Sequence, residues 1–416
     1  MANANLVSIP TMVESPFIIV EIGGHTFGSF SGNTKGTPNG LHQNVEFPSY
    51  MKSMSVVKVN GTLNTYTIAF SYQVAFGDDP NLLDKIFSSA TVDRKISISY
   101  GDWNAPEYLY KKETGIITGI TSTLNMASAS IDYTVKCTSD AIGLTSTSYS
   151  FPGQTAKPSD VIMDMLNNIR YGFQQVFTGM RNMQQVIAIG LIASDDKPVR
   201  LKPQVNVTPL EYLNYLVNSM RSSSDPDDGS LGSSKYFLSV HDEVDSSAGG
   251  TYFKVSKVTA DSKGGSEADT YTLDINYPTD NLVTNFALVN DQSWAILYEY
   301  SQKSKQQMYS YSLNNEGKLV TTYSPSLMRD TYSGDVSPAT QSWWALMTGF
   351  PIQATVTIKG LVRPSILMSY VRLNVWFHGG AKHLSSGLYI ITKQEDKLDA
   401  TGYKTTLSLT RVGGDE

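Results

Sequence analysis

The chain has 416 residues, a formal net charge of −6 and one cysteine, Cys137. That length allows two or three domains with proper cores, the charge gives no clustered basic footprint for nucleic acid, and one cysteine excludes an internal disulfide or a multi-cysteine metal site. Only 17 % of residues are charged while tyrosine alone numbers 24, a β-rich and loop-rich profile.

In chain order, Met1–Met12 has neither a basic start nor a sustained apolar run, so no signal peptide is expected. Gly23–Pro48 is a long polar stretch and reads as a loop. Tyr66, Ile68, Phe70 and Tyr72 alternate with polar residues after the Asn60-Gly61 turn, which predicts a hairpin with one buried face. Asp79-Pro80 then marks a helix start, with proline where its missing N–H costs nothing and Leu82, Leu83, Ile86 and Phe87 as the apolar stripe. Ile96, Ile98 and Tyr100 alternate as a strand. Gly115–Thr118, running through Leu124 to Ile131–Lys136, predicts a second hairpin, with Cys137 as a small reduced core thiol in its return strand.

The middle of the chain reads differently. Pro158-Ser159-Asp160 opens a helix with Val161, Ile162, Met165, Leu166 and Ile169 on one face. Val186–Ala193 is the longest apolar run and falls far short of the roughly 20 residues a membrane span needs. Thr208-Pro209-Leu210-Glu211 is a capping box, in which the side chains of Thr208 and Glu211 satisfy each other's orphan N–H groups. Leu210, Leu213, Leu216, Val217 and Met220 continue it as a stripe. After the polar run Ser222–Ser234, Tyr236–Val240 and Thr251–Val255 flank a turn-rich segment as a hairpin. Thr259–Asp269 and the Tyr-rich Ser301–Ser337 are further long polar stretches, the latter suited to partner contact.

The final part repeats the first. Trp294, Ile296, Tyr298 and Tyr300 alternate after Asn290-Asp291, and Ser337-Pro338 opens a helix carrying Trp343, Trp344 and Met347. Ala354, Val356 and Ile358 alternate as a strand, and Tyr389–Thr392 runs through Leu398 to Thr405–Thr410. The offsets read as 228, then 258, then 274, with the last hairpin ungapped, so that Ile116 falls on Ile390, Thr118 on Thr392, Leu124 on Leu398 and Val135 on Leu409. Self-similarity of this kind governs the architecture. The expected fold is mainly β with an α+β middle region: residues 1–145 as a first β-barrel or sandwich domain, 146–270 in the middle, and 271–416 as a second domain duplicating the first. A buried Trp343 or Trp344 should close that second domain.

No constellation for chemistry emerges, and no catalytic, cofactor-binding or metal residues are expected. His378 and His383 share a Gly-rich loop without HExxH or a cysteine partner. His241-Asp242-Glu243 ends a strand and reads as solvated turn residues, as does Glu395-Asp396. Gly28–Gly32 places Phe30 where a nucleophile elbow needs serine. Asp225–Gly229 lacks the later ligands of a calcium loop. In Asn206-Val207-Thr208, a chance glycosylation sequon, the threonine is already the helix cap.

Gly387-Leu388-Tyr389-Ile390-Ile391, a polar turn, and Thr401-Gly402-Tyr403 running to Thr410-Arg411 resemble the closing hairpin of baseplate hub proteins of contractile-tailed bacteriophages. Thr208–Leu216 with the hairpin after it, and Trp294–Tyr298 after Asn281–Phe286, are similar to the same family more loosely. The resemblance implies two tail-tube-like domains per chain and a homotrimeric ring of six such domains. That ring would adapt a six-fold tail tube to a three-fold central spike in the virion baseplate, assembled in the host cytoplasm. It implies as partners the spike, the tail tube or its initiator, other baseplate proteins and the tape-measure protein, with no cofactor, no specific nucleic-acid binding and no membrane span. Family members with lytic activity carry further downstream domains, whereas here the hairpin is followed by only a few residues before Glu416. The rival readings are a tail-associated peptidoglycan hydrolase or peptidase, and a tail-tip adhesin built on Ser301–Ser337.

Overall fold

A computed structural model describes residues 16–28, 46–48, 50–102, 111–146, 148–167, 195–223, 234–242, 251–259, 270–275, 283–290, 309–313, 319–323, 352–359, 366–377, 380–383 and 385–413. The chain is mainly β, with a long curled sheet whose strands are mostly antiparallel, and few helices. Its first strands are β1 (Pro16–Ile22), β2 (His25–Gly28), β3 (Phe47–Pro48), β4 (Met51–Val59) and β5 (Thr65–Gln73). Helix α1 (Leu82–Asp93) follows, then β6 (Lys95–Asp102), β7 (Lys111–Asn125) and β8 (Ser130–Thr138). The middle region holds β9 (Tyr149–Phe151), β10 (Gln154–Ala156), α2 (Pro158–Asn167), β11 (Val199–Leu201), β12 (Gln204–Val207), α3 (Pro209–Ser219), β13 (Ser234–His241) and β14 (Tyr252–Thr259). The remainder is β15 (Thr270–Ile275), β16 (Val283–Asn290), β17 (Tyr309–Leu313), β18 (Leu319–Tyr323), β19 (Ile352–Lys359), β20 (Tyr370–Val375), β21 (Gly387–Asp399) and β22 (Gly402–Gly413).

Alternation decides which face is buried. Tyr66, Ile68, Phe70 and Tyr72 of β5 are all buried, with Ile96 and Ile98 of β6 and Leu83, Ile86 and Phe87 of α1 in one core. Phe87 meets Tyr133 edge to face at 5.1 Å, an arrangement the ring quadrupoles favour. The regular helix begins at Leu82, two residues after Pro80. Asp79 caps this start, its carboxylate accepting from the Asn81 N–H at 2.9 Å and its carbonyl from the Leu82 N–H at 3.2 Å. In α3 the capping box forms as read, with Thr208 N–H to Glu211 at 2.7 Å and Glu211 N–H to Thr208 Oγ1 at 3.3 Å. Leu210, Leu213, Leu216, Val217 and Met220 are buried, and Tyr212 stacks on Phe151 at 3.6 Å. Val161, Ile162 and Met165 of α2 join that middle core.

Six strands in the first part and six in the last are wired alike. In the first, β4 pairs β5, β5 pairs β8, β8 pairs β7, β7 pairs β6, and β6 pairs β1. In the last, β16 pairs β19, β19 pairs β22, β22 pairs β21, β21 pairs β20, and β20 pairs β15. Chain order matches strand for strand. The registers match too: the row Met54, Ile68, Val135, Ile120 in one set corresponds to Phe286, Val356, Leu407, Gln394 in the other. Two irregularities also coincide. The break between Met51 and Ser53 reappears between Val283 and Asn285, and the break between Ile117 and Gly119 between Ile391 and Lys393. Bulges sit at defined places and re-aim a strand, so two matched bulges within two matched ladders mark the sets as copies. One pairing differs: β1 runs antiparallel to β6, while β15 runs parallel to β20.

The structure corrects several sequence expectations. The final hairpin is not ungapped: residues 126–129 form the first turn and 400–401 the second, so return strands align two residues closer than outgoing ones. Leu409 faces Ile391 as Cys137 faces Ile117, making Cys137, not Val135, its counterpart. The strand Ala354–Ile358 stands where β5 stands, not where β6 does; β20 takes the place of β6. Both strands alternate alike, and only the neighbour distinguishes them. Gly23–Pro48 contains β2 and β3, β2 turning back from β1 at Gly23-Gly24, where φ is 58° and 82°. Ser301–Ser337 contains the hairpin β17–β18. Trp294–Tyr300, the helix after Pro338 with Trp343 and Trp344, Val186–Ala193 and Thr259–Asp269 beyond β14 lie outside the described residues.

Candidate functional site

The feature that sets this fold apart is where the two copies meet. Strand β21 is long, and its two halves have different neighbours. Gly387–Ile390 pairs β20 within its own copy, whereas Lys393–Leu398 pairs β4 of the first copy, from Lys393 opposite Val59 to Leu398 opposite Met54. The bulge at Thr392 lies between the two halves. Its hydroxyl donates to the Ser408 carbonyl at 3.2 Å, as Thr118 in β7 donates to Lys136 at 3.1 Å. The result is one continuous ladder across both copies.

The inward side of this joint carries charge. Met54, Val56 and Lys58 of β4 face the core, opposite Leu398, Asp396 and Gln394 of β21. Lys58 is completely buried and pairs with the equally buried Glu113 of β7. Asp396 accepts from Thr405 Oγ1 at 2.5 Å and from Gln394 Nε2 at 2.7 Å, while Gln394 Oε1 accepts from the Ile366 N–H at 2.9 Å. Burial raises the Asp396 carboxyl to about 6, and the Lys58 charge and these hydrogen bonds work against that rise. Burial and the nearby carboxylates of Asp396 and Glu113 push the Tyr403 hydroxyl well above its ordinary range.

A further buried carboxylate ties the middle region to the first copy. Asp242 accepts from Tyr66 Oη at 2.8 Å, Asn64 Nδ2 at 2.8 Å, Ser139 Oγ at 2.7 Å and Thr251 Oγ1 at 2.6 Å. Its carbonyl accepts from the Thr114 N–H at 3.0 Å. At the adjoining turn Gly61 has φ of 75°, and an added Cβ would lie 2.5 Å from the Asn214 side chain, which donates to the Gly61 carbonyl at 2.7 Å. Two separate constraints therefore require glycine there.

These residues correct the sequence reading. Asp242 and Asp396 were expected in solvated turns, and both are buried. A signal for Lys58 was present: it shares the parity of the buried Met54 and Val56, where a charge needs a buried partner, whereas Asp396 lies in the polar run Thr392–Lys397, which carries no such signal. Among the other candidates, His383 bonds Ser385 Oγ at 2.6 Å, and Cys137 is buried in β8 with its thiol pushed up to about 12 by burial. His378, Glu243, Asp225–Gly229 and the residues after Gly28 in that segment lie outside the described residues. Among the described residues no group of histidine, cysteine and carboxylates is placed to hold a metal, and no helix is long and apolar enough to cross a membrane.

No family model matches the sequence, and no curated protein matches it. Among solved structures the fold is similar to a 43 kDa prophage tail protein from Shewanella oneidensis, at 11 % identity and a TM-score of 0.49, covering 97 % of this chain and 100 % of that one. It is similar to a tail protein from Neisseria meningitidis at 12 % identity and a TM-score of 0.48, covering 96 % and 97 %. An E. coli component of the type VI secretion system matches at 11 % identity and a TM-score of 0.44, covering 88 % and 75 %.

Proposed function

We propose that this chain is a structural virion protein, the baseplate hub of a contractile tail. In this reading three chains form a ring of six tube-like units that joins the tail tube to the central spike. The observation that carries it is the pair of six-strand copies with matched registers, joined edge to edge within one chain. A symmetry adaptor needs two quasi-equivalent ring positions per chain, and closed cyclic assemblies are the usual outcome for soluble homo-oligomers. The units would be residues 1–145 and 271–416, with 146–270 as the middle domain facing baseplate neighbours. The charged cluster at the joint is sealed from solvent, so it holds strands together rather than meeting a substrate; the proposed role is non-catalytic. Partners on this reading are the spike, the tube or its initiator, other baseplate proteins and the tape-measure protein.

Native mass measurement of the purified protein, with imaging of isolated tail ends, tests this. The expected result is three chains per ring with all six units at one level along the tail axis. Six chains per ring, or two copies of one chain at different heights, would overturn it.

A further inference from the structure

The internal joint has a counterpart whose two sides are both present and apart. Strand β7 corresponds to β21, and its second half, Gly119–Leu124, pairs β8 on one side. Among the described residues no strand lies on its other side, where β21 carries β4. Strand β16 corresponds to β4. It pairs β19, and among the described residues its other side is also without a strand. Exposure shows the same asymmetry: Leu398 is 9 % exposed within the first copy's core, while its counterpart Leu124 is 61 % exposed. On the other face of the β16 edge, Val289 is 59 % exposed. An uncovered strand edge with apolar side chains is a template for pairing.

We infer that the second half of β7 pairs antiparallel with β16 of a second copy of this chain, in the register of the internal joint. Moving the β21·β4 register onto the corresponding strands places Leu124 opposite Phe286, Thr123 opposite Ala287, and so on to Ile120 opposite Asn290. In this register positions 120, 122 and 124 stand opposite positions 290, 288 and 286. Ser122 and Asn290 stand where the internal joint has Asp396 and Lys58, so the joint between chains is neutral where the internal one is charged. That difference separates the two joints: β21 cannot take a neighbour's β16 without leaving Asp396 away from Lys58. The two edges lie on opposite copies of the chain, so the contact is head to tail and forms a ring if its rotation closes. Closure at three chains rests on the ring reading above; the strand register does not.

Paired cysteines test the register. Thr123 and Ala287 are both exposed, and directly opposed residues bring Cβ atoms to about 4.5–5.5 Å, against about 7–8 Å for the diagonal neighbour. The Thr123→Cys/Ala287→Cys protein, treated with a mild oxidant, should give disulfide-linked chains, whereas Thr123→Cys/Val289→Cys should not. Cys137 is buried and stays out of the exchange. Links that stop at three chains support both the register and the ring; a ladder running past three supports the register and overturns the ring. A trimer by native mass with no link in the opposed pair, or a link only in the shifted pair, overturns the register. Leu124→Asp provides an arm independent of cysteine chemistry. It should reduce the assembly to single chains with far-UV circular dichroism unchanged, and assembly retained in full would overturn the proposal.

Discussion

The two copies solve the same strand problem with opposite chemistry at their edges. In the second copy, the outer half of β21 is covered by β4, and its inward side chains Gln394, Asp396 and Leu398 are buried, with Lys58 and Glu113 buried beside them. In the first copy, the same half of β7 is bare among the described residues and carries threonine, serine and an exposed leucine. The ladder, the bulge and the threonine bond are shared, so these belong to the fold. The charges are not shared, so they belong to the joint. A buried charge is costly without its partner, and one established use of buried polar groups is to specify register rather than to add stability. Here the expected role of Lys58 and Asp396 is to fix the register in which the chain's own two copies join.

The largest test of this contrast is Lys58→Ala. It leaves Glu113 and Asp396 buried without their cation, and removing one member of a buried ion pair typically costs about 3–5 kcal/mol. Urea unfolding measures it; a loss below about 1 kcal/mol would mean the cluster is not buried as described. Replacing Lys58, Glu113 and Asp396 together by apolar residues of similar volume should recover most of that loss.

Next comes the matched pair Leu398→Ala and Leu124→Ala. Truncating the buried leucine should cost about 2–4 kcal/mol, and truncating the exposed one less than about 0.5 kcal/mol in the single chain. Equal losses by thermal or urea unfolding would erase the distinction between covered and bare edges.

Asp396 adds a pH dependence. Its carboxyl lies near 6 in the folded chain and at the ordinary 3.8 when unfolded, so between those values the folded state holds the extra proton. Stability from this group is greatest below about pH 4, falls as pH rises to about 6, and is flat above. The span is about 2–3 kcal/mol. It is read as the difference between the native chain and Asp396→Asn, which lacks the titration. A difference that does not vary from pH 4 to 6 would contradict the burial.

The smallest effects concern what the copies share. Thr118→Val and Thr392→Val each remove one hydroxyl bond across a bulge and should each cost about 0.5–1.5 kcal/mol. The expected result is near-equality by urea unfolding. A loss in one copy alone would show that the bulges match in position but not in energy.

Local elements were legible in the sequence because their causes act over a few residues. Alternation in Tyr66–Tyr72 and Ala354–Ile358 selects a buried face whatever strand lies alongside, and Thr208 and Glu211 close their cap within one turn. The duplication was visible for the same reason, through the recurring hairpin that ends in Leu124 and Leu398. Neighbours were not legible. Strands β5, β6 and β19 share one pattern, so nothing local says that β19 stands in the place of β5; that is decided by which edges close against β22 and β16. The two-residue difference between turns was invisible because the alternation has period two and survives such a slip. Asp396 reads as a turn residue, and the parity of Lys58 with Met54 and Val56 does not name its partners; only the fold sets β4 against β21 and Lys58 beside Glu113. Pairing across more than 300 residues is set by burying two complementary edges at once, and only the tertiary structure brings those edges together.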